Sequence, residues 1–193
     1  MGVMANPTFE QLQLRLARLS SVPFTGIVYR SSTPKYATEF DLISGEGSRR
    51  FGGRWNPVGI TMIYASLTPE TAMAETLACN RYYGIPIEDA MPRTFVAIEV
   101  NLHKLLDLRD GIIRRRLQIS EIKIVTLDWR KELLAGHEPI TQRLGRAVHS
   151  GNWEGMIVPS AADLMGHNLL IFPEKIDLDS KVIVRNPEML EKT

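Results

Sequence analysis

The chain has 193 residues, of which 44% are apolar and 23% are charged, a composition typical of one globular domain with its own core. Basic residues number 23 and acidic residues 22, which leaves a net charge of +1 and argues against general attraction to nucleic acid. The single cysteine, Cys79, excludes an intramolecular disulfide and a CxxC metal site and favours a reducing, cytoplasmic location. The sequence predicts neither a membrane-spanning helix nor a secretory signal.

The first third of the chain predicts a helix, two strands and a long irregular segment between them. The helix begins with Asn6 as N-cap and Pro7 in the first helical position. A short apolar strand is expected over 26–30. Between 31 and 59 glycines and prolines interrupt any periodic pattern, which is typical of a binding loop or lid. Strand character returns over 60–65.

The remainder mixes helices and strands without strict alternation. A helix is expected from Pro69 to Tyr83, stopped by Gly84, and the clearest buried strand follows over 94–100. The other expected elements are helices over 128–134 and 139–149 and strands over 155–158, 168–172 and 181–185. This order predicts an α+β fold with a mixed, mainly antiparallel sheet and flanking helices.

We expect a single domain over residues 1–193. Within it, an N-terminal helix (1–22) is appended to a core (23–175), and a C-terminal tail (176–193) follows. The four histidines show no metal-ligating spacing, so no metal site is predicted.

The segment GEGSRRFGGRWNPVG, residues 45–59, combines glycines, arginines and aromatic residues. It is not a dinucleotide-binding fingerprint, because its sixth position is Arg50 rather than glycine and no strand leads into it. Glycine backbone and arginine side chains suit an anion, and Trp55 could stack on a planar ring. The alternative is a solvated loop with Trp55 in the core.

Five residues outside that loop are candidates for chemistry. Arg30 ends an apolar strand and needs a carboxylate or a ligand anion. Glu75 has small helical neighbours, so it lies either in a sheltered pocket, where it could stabilise a developing cation, or on an exposed helix face. Tyr64 points either into the core or at a ligand, and Ser160 and Asn168 flank a short loop in which both could be turn residues.

Together these residues resemble one known family, the RES domain, which is named for its arginine, glutamate and serine. Here those residues match Arg30, Glu75 and Ser160. The matching motifs run in order along most of the chain: V-Y-R (28–30), G-G-R-W-N-P-x-G (52–59), I-Y-A-S (63–66), P-E-T-A-x-A-E (69–75), V-P-S-A (158–161) and G-x-N-x-L (166–170).

The resemblance implies the toxin of a bacterial toxin–antitoxin module, with a fold similar to that of ADP-ribosyltransferases. Such toxins consume NAD⁺ by hydrolysis or phosphorolysis of the nicotinamide–ribose bond, which depletes NAD⁺ and stops growth; some members instead ADP-ribosylate a protein. An Xre-type helix-turn-helix antitoxin blocks the cleft. NAD⁺ is then a substrate, and no bound cofactor, direct nucleic-acid contact or membrane contact is implied. Self-association is compatible with the sequence.

The resemblance also implies roles for individual residues. Glu75 would stabilise positive charge at the anomeric carbon, while Arg30 and Arg54 would bind pyrophosphate or ribose oxygens. Ser160 and Asn168 would position Arg30 or the ribose by hydrogen bonds. Tyr64 would stack on nicotinamide. The residues expected to bind the dinucleotide are Arg54, Tyr64, Trp55, Asn168, Tyr29 and Ser66.

Three hypotheses therefore compete. The first is an NAD⁺-degrading toxin, and the second is an ADP-ribosyltransferase that uses the same residues on a cellular protein. The third is a non-catalytic module that binds nucleic acid or a partner through the arginines of 49–54 and 114–116.

Overall fold

The computed structural model describes residues 6–190. Its six strands are β1 (Val22–Ser32), β2 (Ile63–Ser66), β3 (Thr94–Asp107), β4 (Gly155–Pro159), β5 (His167–Ile171) and β6 (Lys181–Val184). They pair in the order β1-β2-β5-β4-β3-β6, with a further pairing of β1 and β3. All strand pairs are antiparallel except β3 and β4, so the predicted α+β class with a mainly antiparallel sheet is confirmed.

Nine α-helices surround this sheet within the described residues. They are α1 (Phe9–Leu16), α2 (Glu39–Ile43), α3 (Glu46–Phe51), α4 (Pro69–Tyr82), α5 (Ile87–Ala90), α6 (Gly111–Leu117), α7 (Glu121–Thr126), α8 (Trp129–Leu134) and α9 (Ile140–His149). None of the helices in the part of the chain described is long and apolar enough to cross a membrane.

Both faces of the sheet are buried, because alternate side chains along a strand point to opposite faces. On β5, Leu170 packs with the apolar side chains of α1 and α9. Its neighbours Leu169 and Ile171 pack on the other face with Val28 and Ile98. The central strands therefore carry continuous apolar runs, and these runs are the pattern from which the sequence predicts strands.

The start of α1 differs from the prediction. Thr8, not Asn6, is the N-cap, and its hydroxyl accepts a hydrogen bond from the backbone N–H of Gln11. The Gln11 side chain accepts one in return from the backbone of Thr8. This reciprocal capping box satisfies two free amides at once, which the Asn6–Pro7 pair does not do.

The segment expected to be irregular, 31–59, is largely ordered. It contains a 3₁₀ turn over Pro34–Tyr36 and then α2 and α3. Asn56 is fully buried, and its amide donates to the carbonyls of Ser48, Pro57 and Ile60. One buried amide thus closes the turn that follows α3, a device that hydrophobic periodicity cannot reveal.

The strands β1 and β3 are longer than predicted, and they pair from Val22 to Ser32. The strand expected over 181–185 is present as β6, which pairs with β3. Residues assigned to a C-terminal tail therefore contribute to the sheet.

Candidate active site

A cleft of about 660 Å³ opens beside the junction of β1 and β2, a volume within the range of small-molecule sites. The two strands share a single registered pair, Tyr29 with Ser66, whereas β1 continues along β3. The side chains of Arg30, Arg54 and Glu75 all line this cleft. The structure therefore brings together residues that are up to 45 positions apart in the chain.

Glu75 lies on α4 and is partly buried, not on an exposed helix face. Its Oε1 accepts two hydrogen bonds, one from the Ser160 hydroxyl at 2.6 Å and one from the Asn168 amide at 2.7 Å. No hydrogen bond to its Oε2 is present among residues 6–190. One oxygen is thus held by the protein while the other is left for a ligand, an arrangement that orients the carboxylate before a substrate arrives.

The two donors are themselves held in place. Ser66 donates to Oδ1 of Asn168 at 2.7 Å, and these two residues face each other in register across β2 and β5. Ser160 follows β4, and its Oγ accepts the backbone N–H groups of Ala162 and Asp163 at 3.1 and 3.0 Å. Ser160 and Asn168 therefore hold Glu75, and neither makes a hydrogen bond to Arg30 among the described residues. Their predicted contact with the ribose stays a prediction.

Arg30 reaches the cleft from the end of β1. Its Nη1 donates to the carbonyl oxygen of Leu42 at 3.0 Å. Burial lowers the pKa of Arg30, and the negative charge of Asp41 opposes that change. A guanidinium held by a neutral carbonyl keeps most of its donors for another acceptor.

Arg54 lies near enough to Glu75 for the two charges to interact. Its Nη1 donates to the carbonyls of Ile124 and Leu127 at 3.0 and 2.9 Å, so it ties the turn after α3 to the end of α7. Burial lowers the pKa of Arg54, and the negative charge of Glu75 counteracts this effect. The opposite charges of Arg54 and Glu75 thus share one partly desolvated space.

Tyr64 also lines the cleft, and its hydroxyl is fully used. The hydroxyl donates to Oδ1 of Asn56 at 2.8 Å and accepts the backbone N–H of Trp55 at 3.0 Å. Burial raises the pKa of Tyr64, so the phenol stays neutral. Its position leaves the ring, rather than the hydroxyl, as the part that can meet a ligand.

Two predicted binding residues differ in how they relate to the cleft. Trp55 is among the residues that line it, but the residue is only 2% exposed and belongs to the core cluster that includes residues of α1 and α9, so most of its surface is packed against protein. Tyr29 is not among the residues that line the cleft, because it points to the face of β1 opposite to Arg30. Ser66 lines the cleft and donates a hydrogen bond to the side-chain oxygen of Asn168.

Other lining residues were missed in the sequence. Arg93 precedes β3 and donates through Nε to the Ser31 hydroxyl at 3.0 Å. Further along the cleft lie an arginine and three aromatic residues of α4, its C-cap and α8: Tyr82, Tyr83, Trp129 and Arg130. No motif marks these positions, since only the fold brings α8 to the end of α4.

The cleft is strongly cationic. Its lining includes Arg30, Arg54, Arg93 and Arg130, and Glu75 is the acidic residue among the described lining positions. Within residues 6–190 none of these four arginines makes an ion pair. Guanidinium groups that are anchored but unpaired are suited to phosphate oxygens. Fold and cleft thus define an α+β protein whose cleft places one oriented carboxylate among arginines suited to an anionic ligand.

Comparison with known proteins identifies the family. The RES domain model matches residues 27–190, so the chain belongs to the RES domain family, as its motifs indicated. The crystal structure of the M. tuberculosis MbcT–MbcA toxin–antitoxin complex shares the fold, with a TM-score of 0.72 and 23% identity over 94% of this chain and 95% of that one.

Two curated relatives carry functional names. The NAD(+) phosphorylase MbcT of Mycobacterium tuberculosis (strain ATCC 25618 / H37Rv) is 26% identical over 161 residues, 82% of this chain and 80% of that protein. The Prs ADP-ribosylating toxin of Sphingobium sp. (strain YBL2) is 36% identical over 72 residues, which cover 37% of this chain and 42% of that protein.

Proposed function

We propose that this protein is the toxin of a toxin–antitoxin module and that it degrades NAD⁺ by breaking the nicotinamide–ribose bond. The observation that carries the proposal is the Glu75 carboxylate, held at Oε1 by Ser160 and Asn168 inside a cleft lined by unpaired arginines. The relatives named as an NAD(+) phosphorylase and an ADP-ribosylating toxin support the same chemistry.

The proposed reaction requires a negative charge near the ribose, which the Glu75 carboxylate supplies. As the bond from C1′ of the ribose to the nicotinamide nitrogen breaks, its electron pair leaves with nicotinamide, which departs neutral. Positive charge then develops on the ribose ring, as in glycoside cleavage. An ionised carboxylate that is already oriented stabilises that charge. An oxygen of phosphate or water forms the new bond to C1′ and loses its proton to solvent.

The other lining residues suit the rest of the dinucleotide. Arg30 and Arg54 are anchored by carbonyl oxygens and would bind the pyrophosphate or ribose oxygens. The free Oε2 of Glu75 would accept a hydrogen bond from a ribose hydroxyl. The ring of Tyr64 would stack on nicotinamide. In this proposal NAD⁺ is a substrate, and the fold resembles that of the ADP-ribosyltransferases.

ADP-ribosylation of a cellular protein is a second candidate, favoured by the name of the Sphingobium relative. It would use the same carboxylate, with a protein nucleophile in place of phosphate or water. NAD⁺ labelled in the adenylate would then leave label on a protein band. In the first reaction the label stays in small molecules.

The third hypothesis, a basic binding module, has less support. Arg49 and Arg50 pair with Glu46, and Arg114 pairs with Glu121. These ion pairs offset part of the positive charge of the two arginine groups, and the chain as a whole has a net charge of only +1, which argues against general attraction to nucleic acid.

We infer that the partner is an antitoxin protein of the Xre helix-turn-helix type, which covers the cleft in the cytoplasm. The support is the solved toxin–antitoxin complex of a protein with the same fold. Co-expression of the neighbouring open reading frame followed by co-purification would test it.

The central experiment compares Glu75→Gln with the wild type in a timed NAD⁺ assay with water, phosphate or cell extract as acceptor. Glutamine keeps the shape but removes the charge, so NAD⁺ consumption should fall by about 10²–10³-fold with unchanged thermal unfolding. Glu70→Gln, on the exposed first turn of α4, is the matched control and should keep full activity. Wild-type protein that leaves NAD⁺ intact with every acceptor would refute the proposal.

A further inference from the structure

One face of α4 runs along the cleft from the carboxylate to an aromatic cluster. Glu75, Cys79 and Tyr82 are spaced by four and three residues, so they share that face, and all three line the cleft. Seven residues of helix span about 10 Å. The side chains beside them, Ala72 and Ala78, are small, so this face leaves room for an extended ligand.

At the far end of that face four residues form what we call the Arg130 cluster: Tyr82, Tyr83, Trp129 and Arg130. The Arg130 guanidinium carbon lies 4.2 Å from the ring centre of Tyr82, 5.1 Å from that of Tyr83 and 4.3 Å from that of Trp129. Its Nε donates to the Tyr83 hydroxyl at 3.3 Å. The cluster therefore joins the end of α4 to the start of α8.

The cluster is accessible, unlike the aromatic core. Tyr82 and Tyr83 are exposed, and Trp129 and Arg130 are only partly buried. The rings of Tyr82 and Tyr83 meet edge to face, with an interplanar angle of 87°. Planar groups gathered at a cleft mouth offer planar surface to a further ring, which suits a purine base. The guanidinium of Arg130 adds a positive charge and hydrogen-bond donors for the oxygens of a phosphate.

Charge links the cluster to the inner site. Arg130 is close enough to Arg54 for its positive charge to lower the pKa of Arg54, and neither has an ion-pair partner among the described residues. Two unpaired cations repel each other, and an anion between them removes that repulsion. The pyrophosphate of a dinucleotide has the required charge.

We propose that the Arg130 cluster binds the adenosine-phosphate half of the dinucleotide and so selects NAD⁺ over a mononucleotide. This inference rests on the proposed function, because it places the nicotinamide ribose at Glu75. It assigns to α8, which the sequence left without a role, the recognition of the part of the substrate that does not react.

The test compares NAD⁺ with nicotinamide mononucleotide, which has the same scissile bond but no adenylate. In Trp129→Ala and Arg130→Ala the KM for NAD⁺ should rise at least about tenfold, with kcat within about twofold. The kcat/KM for the mononucleotide should stay unchanged. Trp129→Phe should restore most of the affinity because it keeps an aromatic face, and Phe40→Ala, an exposed aromatic that does not line the cleft, is the control.

A binding measurement separates this inference from the proposed function. Trp55 and Trp153 are 2% and 8% exposed, so quenching of tryptophan fluorescence by AMP should report on Trp129 and disappear in Trp129→Phe. Arg130→Ala should weaken AMP binding about tenfold while Trp129 still reports it. Equal losses on NAD⁺ and the mononucleotide, unchanged KM values, or no AMP binding by the wild type would overturn the inference. If AMP binds as described but NAD⁺ is never cleaved, the proposed function fails and the adenylate site stands.

Discussion

The hydroxyl of Ser66 donates to Oδ1 of Asn168 at 2.7 Å, and this bond decides which end of the amide faces Glu75. With its oxygen engaged, Asn168 turns its nitrogen to Oε1 of Glu75, also at 2.7 Å. A serine that does not touch the carboxylate thus controls how the carboxylate is supported. The residues come from β2, β5 and α4, so the relationship exists only in the folded chain.

Asn168→Asp should reduce activity more than Asn168→Ala. The alanine variant removes a donor, whereas the aspartate variant also places a second carboxylate against Glu75, and like charges at that distance repel strongly. We expect NAD⁺ consumption to fall by about 10²-fold or more for aspartate and by about tenfold for alanine. Initial rates of both variants measure the difference. Equal activity of the two variants would show that Asn168 does not act through its amide.

Arg54→Lys should impair both substrate binding and stability. Lysine keeps the charge but lacks the fork that holds the carbonyls of Ile124 and Leu127 and leaves other N–H groups for a ligand. We expect at least a tenfold rise in the KM for NAD⁺ and a loss of about 1–2 kcal/mol in the free energy of unfolding.

The control for that variant is Arg50→Lys. Arg50 is exposed, and its ion pair with Glu46 lies at the surface, where such pairs contribute little. Kinetics and urea unfolding should leave Arg50→Lys unchanged. An Arg54→Lys protein with wild-type KM would remove Arg54 from the binding site.

Gly145→Ala should destabilise the protein by about 3 kcal/mol or more. A Cβ at Gly145, on α9, would lie 1.7 Å from the carbonyl oxygen of Trp55, which is backbone and cannot move aside. Gly47→Ala on α3 is the matched change, because nothing lies within 4 Å of its Cβ position. It should be neutral or stabilising by up to about 1 kcal/mol. Denaturant unfolding of both variants tests this contrast, and similar stabilities would contradict it.

Glu154→Gln should alter the acid dependence of stability. Glu154 is 1% exposed, and its carboxylate accepts the backbone N–H groups of His103, Lys104 and Asp177. Burial alone raises the pKa of Glu154, but the polar groups around its carboxylate, first the nearby Ser180 hydroxyl and then these backbone N–H groups, outweigh burial, and the pKa is lowered. Because the pKa of Glu154 is lower in the folded than in the unfolded protein, its ionised carboxylate stabilises the fold at pH values above the unfolded pKa of about 4.5. This contribution is lost as the pH falls through the folded pKa.

Glu154→Gln should therefore be less stable than the wild type at pH 7, and the gap should narrow below about pH 4.5. Unfolding midpoints in urea across pH 3–7 provide the measurement. The exposed Glu188, changed to glutamine, is the control. A gap that stays constant with pH would mean that the charge of Glu154 contributes nothing.

Sequence patterns predicted the strands and helices whose formation depends on residues close together in the sequence. The strand around Val28 and the helix from Pro69 carry local signals, namely apolar runs, a cap and an N-terminal proline. Glu75 and Arg30 were found by family motif, and their shared cleft confirms that they converge. The turn after α3 depends on the buried amide of Asn56, and the Arg130 cluster depends on the position of α8 beside the end of α4. Both are tertiary contacts that no local pattern encodes.

The same distinction explains the environment of Trp55. Glycines and arginines around a tryptophan resemble a ligand loop, and Trp55 does line the cleft, yet the residue is only 2% exposed and belongs to the core cluster. Burial of an indole removes a large apolar surface from water, and this stabilises the folded state more than an exposed indole would. The neighbouring Arg54 does face the cleft, so one loop serves both the core and the site.

The supports of Glu75 lie late in the chain, at Ser160 and Asn168. During synthesis the acid is made long before the strand and loop that orient it, so a partly translated chain has the reacting group without its geometry. A chain that has been synthesised only as far as β4 therefore carries the carboxylate without the two hydrogen bonds that orient it, and its chemistry becomes available only after β5 has paired with β2.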